Sequence, residues 1–133
     1  MTRKQCLKGI AAAAVSTALG TAADIRRPIQ LYCDLAVDPA KEQPMLRAFR
    51  TSFRPTAKKH RGYIDVRLLK LTKSIEGQVP PGVNYRFVIT YESEELRQKW
   101  IASADHQRVW PPLEEALTNK KFTISLFDDV TEA

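Results

Sequence analysis

From Ile29 to Val37 the chain alternates residue by residue, with Ile29, Leu31, Cys33, Leu35 and Val37 on one side and Gln30, Tyr32, Asp34 and Ala36 on the other. A period of two matches the pleat of a strand with one buried face. The run leads straight into Asp38-Pro39, an N-cap followed by a proline at the first helical position, where its missing N–H costs nothing. A strand that turns into a helix within two residues must be covered by that helix on its apolar side and paired with other strands at its edges.

The remaining periodicities supply those neighbours. Met45, Leu46, Phe49 and Phe53 form one helical stripe, with Arg47, Arg50 and Arg54 off it. Pro44 lies in the early turns, and Pro55 is expected to kink or end the helix near Arg54, with Thr56 to His60 continuing it raggedly. After Gly62, Tyr63 to Leu71 reads as a second strand, with Ile64, Val66 and Leu68 on one face and Tyr63, Asp65, Arg67, Leu69 and Leu71 on the other. Ser74 to Asn84 is rich in turn formers and reads as an extended hairpin loop. Tyr85 to Tyr91 is the third strand, Ser93 caps a helix carrying Leu96 and Trp100, and Glu94 and Glu95 suit its positive end. Ala104-Asp105 reads as a break and a new cap before His106, Val109, Trp110, Leu113 and Leu117, and Lys121 to Phe127 closes as a fourth strand.

The order strand, helix, strand, strand, helix, strand is the split βαβ or ferredoxin-like arrangement. It predicts an α+β fold with a four-stranded antiparallel sheet and the helices on one face. The other face would carry Tyr32, Asp34, Tyr63, Arg67 and Leu69, too apolar in part to be left in water. A second copy packed sheet to sheet would cover it, giving a homodimer with a pocket between helices and sheet in each subunit.

The ends of the chain set its destination. Arg3, Lys4 and Lys8 precede the apolar run Ile10 to Leu19, which closes on Gly20-Thr21-Ala22-Ala23, the three-part pattern of an export signal. The run is too short to span a bilayer, so residues 1–23 read as a cleavable signal and residues 24–133 as one exported domain, periplasmic or extracellular, without stable membrane insertion. Thr2-Arg3-Lys4-Gln5-Cys6-Leu7-Lys8 resembles a twin-arginine export motif, with Lys4 in place of the second arginine; the ordinary secretory route is the alternative. Cleavage removes three of the 21 basic residues and none of the 15 acidic ones, lowering the formal charge from +6 to +3. It also removes Cys6, leaving Cys33 without an intrachain disulfide partner. The basic stretch from Arg47 to Arg67 lacks the aromatic interleaving of a nucleic-acid binder and reads as a solvated face, so no nucleic acid is expected as a partner.

Laid end to end, Val37-Asp38-Pro39, His60-Arg61-Gly62-Tyr63, Phe87 through Ser93 into Glu94-Glu95-Leu96, and Trp100 to His106 resemble the landmarks of the antibiotic biosynthesis monooxygenase family, in the dimeric α+β barrel superfamily. The likeness covers roughly residues 28–127 and lies in layout more than in any single motif. It implies one of three things: a cofactor-independent oxygenase of aromatic or quinol-like compounds, a haem-degrading enzyme, or a protein without a reaction. Trp100 and Ser103 match the Trp-x-x-Ser of the haem-degrading branch, but the position of its iron-ligating histidine is Trp110, and an indole cannot ligate iron. His106 lies one turn earlier, and the first strand offers no asparagine as the branch's polar partner. The resemblance therefore points away from haem and to a site with no cofactor and no metal.

Within that reading His106 is the catalytic base or hydrogen-bond donor, because its intrinsic pKa lies near the working range. Trp100 and Trp110 would wall a small aromatic ligand, and Tyr32, Asp34 and Arg67 would supply further polar contacts. Each has a plainer role open to it. The two tryptophans fit a core, His106 an early-helix backbone contact, Asp65 with Arg67 a surface ion pair, and His60 a solvated loop position. Cys33 reads as core. An enzyme and a non-catalytic small-molecule-binding or stress-related dimer both remain open.

Overall fold

The computed structural model describes residues 27–132, and the expected signal segment lies outside them. Four strands, β1 (Ile29–Leu35), β2 (Tyr63–Lys70), β3 (Tyr85–Tyr91) and β4 (Thr123–Asp128), form one sheet in the order β2-β3-β1-β4, every neighbouring pair antiparallel. This is the ferredoxin-like topology expected from the sequence. The helical pieces are α1 (Glu42–Ala48) and α2 (Arg54–Ala57) between β1 and β2, and α3 (Glu94–Ala102), α4 (Ala104–Val109) and α5 (Pro111–Glu114) between β3 and β4. Among the described residues no helix is long and apolar enough to cross a membrane.

The alternation of β1 does what a period of two requires. Ile29, Leu31, Cys33 and Leu35 are buried against the helices, while Gln30, Tyr32 and Asp34 lie on the other face. Val37 does not extend the strand. Asn84 holds it instead, its Oδ1 accepting from the Val37 N–H at 2.8 Å and its Nδ2 donating to the Val37 carbonyl at 2.9 Å. Val37 then bridges to Leu117, tying the end of β1 to the segment after α5.

Pro55 behaves differently from the expected helix stop. Phe49–Phe53 form a π turn in which the Arg54 N–H reaches the Phe49 carbonyl, five residues back, and α2 follows with Pro55 in its first turn. A proline in regular helix lacks a donor and presses on the carbonyl four residues earlier. The wider π turn moves that carbonyl aside, so the chain stays helical to Ala57. The turn also brings Phe49 and Phe53 to the same buried side, their rings stacked at 5.9 Å.

The second correction concerns β2. Tyr63 pairs with Tyr91 and Asp65 with Thr90, so one extra residue, Ile64, bulges out of the ladder. The bulge reverses the expected faces at the start of the strand. Tyr63 packs on the helix-side core with its ring 6.4 Å from that of Tyr91, whereas Ile64 is 46% exposed. Beyond the bulge the expected alternation resumes, with Val66 buried and Arg67 and Leu69 outward.

β4 is an edge strand paired with β1 alone. Leu126 and Ile124 stand opposite Leu31 and Cys33 and so share the helix-side face, yet both are exposed. The basic side chains from Arg47 to Arg67 are solvated, as expected.

Candidate functional site

Three linked helices place the aromatic site residues. Ser93 caps α3 by accepting from the Leu96 N–H at 3.2 Å. Arg97, Trp100 and Ile101 then fall on one face at three- and four-residue spacing. Ser103, rather than Asp105, makes the break. Its hydroxyl donates to the Trp100 carbonyl at 2.6 Å and accepts from the His106 N–H at 3.2 Å. One serine thus closes α3 and opens α4, setting the angle at which His106 faces Trp100. Ser103→Ala removes both bonds and is expected to cost about 1 kcal/mol of stability, with Ser103→Thr retaining most of it; urea denaturation of the three proteins checks this.

A cavity of about 280 Å³ lies between these helices and the sheet. Phe53, Phe87, Trp100 and Trp110 wall it, Leu31, Cys33 and Ile89 line it from the sheet, and Ile101, Phe122 and Ile124 complete its apolar boundary. Its polar side chains are Arg97 and His106. The Trp100 indole is buried in the core, meeting Phe53 edge-on at 5.7 Å and His106 edge-on at 5.1 Å. The His106 ring stacks on Trp110 at 6.1 Å with 12° between planes. The tryptophans are therefore packing residues and cavity walls together.

Burial, and then the nearby Arg97 charge, lower the pKa of His106 below its ordinary 6.5. At neutral pH its imidazole is uncharged, with one donor and one acceptor nitrogen. Among the described residues neither ring nitrogen has a hydrogen-bond partner, which leaves both for a ligand. The same shift has a consequence for stability. The unfolded chain takes up this proton at higher pH than the folded one, so the contribution is complete above about pH 6.5 and is lost as pH falls toward the folded-state value. Between about pH 7.5 and about pH 5.5 the wild type should lose more stability than His106→Gln, a difference readable from paired denaturation curves.

Arg97 was not among the site residues expected from the sequence. Its side chain is only 15% exposed and is paired with Glu94 through Nε at 2.6 Å and Nη2 at 2.7 Å. Its spacing of three residues from Trp100 was the available signal. Cys33 lines the cavity as a thiol that burial pushes up to about 12, so it is a packing group rather than a nucleophile.

His60 is not a solvated loop residue. Its Nε2 lies 3.0 Å from Asp105 Oδ2, and its ring centroid is 4.6 Å from that of Trp100. This contact joins the loop after α2 to the first turn of α4, behind the cavity wall. The hydrogen bond from His60, then one from Arg108, holds the Asp105 carboxyl below its ordinary pKa.

Tyr32, Asp34 and Arg67 are not brought to this cavity, because strand alternation puts them on the opposite face of the sheet. There the Tyr32 hydroxyl donates to Gln30 Oε1 at 2.8 Å, Arg86 pairs with Asp34 at 2.8 Å and its guanidinium lies 5.2 Å over the Tyr32 ring. Phe127 meets the Tyr32 ring edge-on at 5.2 Å, and Arg67 pairs with Asp65 at 2.5 Å. A hollow of about 630 Å³ on this face is larger than the helix-side cavity, and Tyr32, Asp34 and Arg86, already paired, are among the residues that line it. The smaller cavity is the better ligand site, since aromatic walls and a few convergent polar groups are what small-molecule pockets share. Among the described residues no three His, Cys, Asp or Glu side chains converge to hold a metal ion.

No protein-family profile matches the sequence, and no curated protein matches it significantly. Solved structures do match in fold. A protein from Bordetella bronchiseptica, assigned as a candidate antibiotic biosynthesis monooxygenase, is 22% identical with a TM-score of 0.60 over 75% of this chain and 94% of its own. A dimeric ferredoxin-like protein of unknown function from Jannaschia sp. CCS1 is 16% identical with a TM-score of 0.62 over 76% and 96%. SnoaB, a cofactor-independent oxygenase from Streptomyces nogalater, is 11% identical with a TM-score of 0.53 over 77% and 90%. At these identities the likeness is one of fold.

Proposed function

We propose that this protein is an exported, cofactor-independent oxygenase acting on a small aromatic or quinol-like compound in the helix-side cavity. The observation that carries the reading is His106, whose ring nitrogens have no hydrogen-bond partner among the described residues and whose ring is set among Phe53, Trp100 and Trp110. A phenolic or enolic hydroxyl bonded to its acceptor nitrogen would pass its proton toward the imidazole as the ring becomes electron-rich. That ring supplies the electrons for oxygen. In the oxidation of an anthrone, a ring CH2 becomes C=O, the second oxygen atom leaves in water, and the substrate provides all four electrons. No cofactor is needed for that balance, and the oxygenase neighbour from Streptomyces nogalater lends the fold precedent.

Oxygen uptake by the purified protein with a panel of reduced anthrones and quinols tests this directly. His106→Ala is expected to abolish uptake or reduce it by about 10²–10⁴-fold, the usual range for a lost acid-base group. Uptake no greater than that of the variant with every compound would defeat the catalytic reading. The apolar lining favours one second reading, a binding protein that keeps an aromatic ligand without oxidising it, and binding without uptake would select it.

Two further parts of the reading concern assembly and place. The outer sheet face exposes Leu69 and Phe127, and a second copy packed sheet to sheet would cover them. The dimeric Jannaschia structure supports this, and light scattering tests it. Export rests on the basic, apolar and small-residue order of residues 1–23, and fractionation of cells expressing the full chain tests it.

A further inference from the structure

The cavity's second polar group is a permanent cation, and the reaction sketched above does not use it. The geometry points to Arg97 as an anion anchor: we infer that the ligand of this cavity is a small flat aromatic carrying a carboxylate. This rests on reading the cavity as the ligand site and narrows the substrate class from any electron-rich aromatic to an aromatic acid.

Three observations carry it. The Arg97 side chain is only 15% exposed. A guanidinium so withdrawn from water carries a desolvation cost that its partners must offset. Glu94 offsets part of it, taking the Nε and Nη2 side in a two-point contact, but Glu94 lies on the preceding turn of α3 and is not among the groups lining the cavity. That contact occupies two of the five N–H donors an arginine has. Among the described residues Nη1 has no acceptor. The unused end of the guanidinium is a second planar fork, the shape that matches a carboxylate at two points.

The rest of the lining agrees. Among the described residues no acidic side chain lines the cavity, so an entering carboxylate meets no like charge from them. His106 can serve a hydroxyl on the same ligand, which separates the two tasks between a charged anchor and an uncharged hydrogen-bond partner. The cavity volume is about 280 Å³. That is just below the range in which pockets for drug-sized ligands fall, which favours a small, compact ring system.

The test is calorimetric titration of the purified protein with 2-naphthoate and with 2-naphthamide, which has the same shape and no charge. Wild type should bind the naphthoate about tenfold or more tightly than the amide, the scale of a charge-assisted contact. Arg97→Gln should bring the ratio near one, chiefly by weakening naphthoate binding. Glu94→Gln frees the guanidinium of its competing carboxylate and should strengthen naphthoate binding, a direction that a purely structural Arg97–Glu94 pair would not produce. Equal binding of the two compounds by wild type, or an undiminished preference in Arg97→Gln, overturns the inference. If Arg97→Gln fails to fold, Glu94→Gln decides alone: tighter naphthoate binding upholds the anchor and unchanged or weaker binding rejects it. Preference for the acid without oxygen uptake keeps the anchor and removes the oxygenase; uptake that depends on His106 without that preference does the reverse.

Discussion

Phe53→Ala is expected to lower the free energy of unfolding by about 3–5 kcal/mol, the range for a buried aromatic truncated in a packed core. Phe53 is 1% exposed and is the hub of the aromatic cluster. Its ring stacks on Phe49, stands edge-on to Phe87 at 5.4 Å and Trp100 at 5.7 Å, and meets His106 and Trp110 at 6.3 and 6.2 Å. No neighbour can swing into the space, since Phe49 is committed to the π turn and Trp100 to the turn that Ser103 closes. The loss would therefore persist as an enlarged cavity. For a domain of this size it corresponds to a fall in Tm on the order of 15 °C. Guanidinium denaturation followed by far-UV circular dichroism measures it, and a loss under about 1 kcal/mol, ordinary for any point substitution, would show that the ring cluster does not hold the helices on the sheet.

The second large effect is expected at Gly62, which enters β2 with φ +92°. A Cβ there would lie 2.8 Å from both Cβ and Cδ1 of Leu96 and 3.2 Å from Tyr91 Cδ2. Left-handed backbone alone costs an L-residue about 1–2 kcal/mol. The contact with Leu96 Cβ cannot be relieved by a rotamer, because that atom moves only with α3. Gly62→Ala is accordingly expected to cost about 2–4 kcal/mol, strain and overpacking together. It should also push α3 outward and change the setting of Arg97 and Trp100. Loss of stability together with a change in tryptophan emission would show both parts; a neutral substitution would mean that this loop relaxes freely.

These two sites show how unevenly the chain discloses itself. Phe53 was legible as an inward residue because it repeats Phe49 at helical spacing, but its role as hub was not, since four of its ring partners come from other elements. Gly62 was legible as punctuation, though not as the point where β2 meets α3. The Ile64 bulge was hidden because β2 alternates in sequence through a register that β3 does not follow. His60 looked solvated beside Lys58, Lys59 and Arg61, and only the approach of α4 gives it Asp105 and Trp100 as neighbours. Tyr32 and Asp34 on β1 and Arg67 on β2 were legible as outward from strand alternation, and that placement separates them from His106 and from the ligand contacts expected of them.

Local periodicity and capping in the sequence determined the order of the elements, the ferredoxin-like sheet and the inward face of β1, because side-chain direction follows from backbone period alone. Tertiary structure decided the site. Whether Trp100 and Trp110 leave a cavity, whether His106 is buried enough to stay uncharged, and whether Arg97 faces solvent or that cavity depend on distances between elements far apart in the chain, which no local pattern encodes.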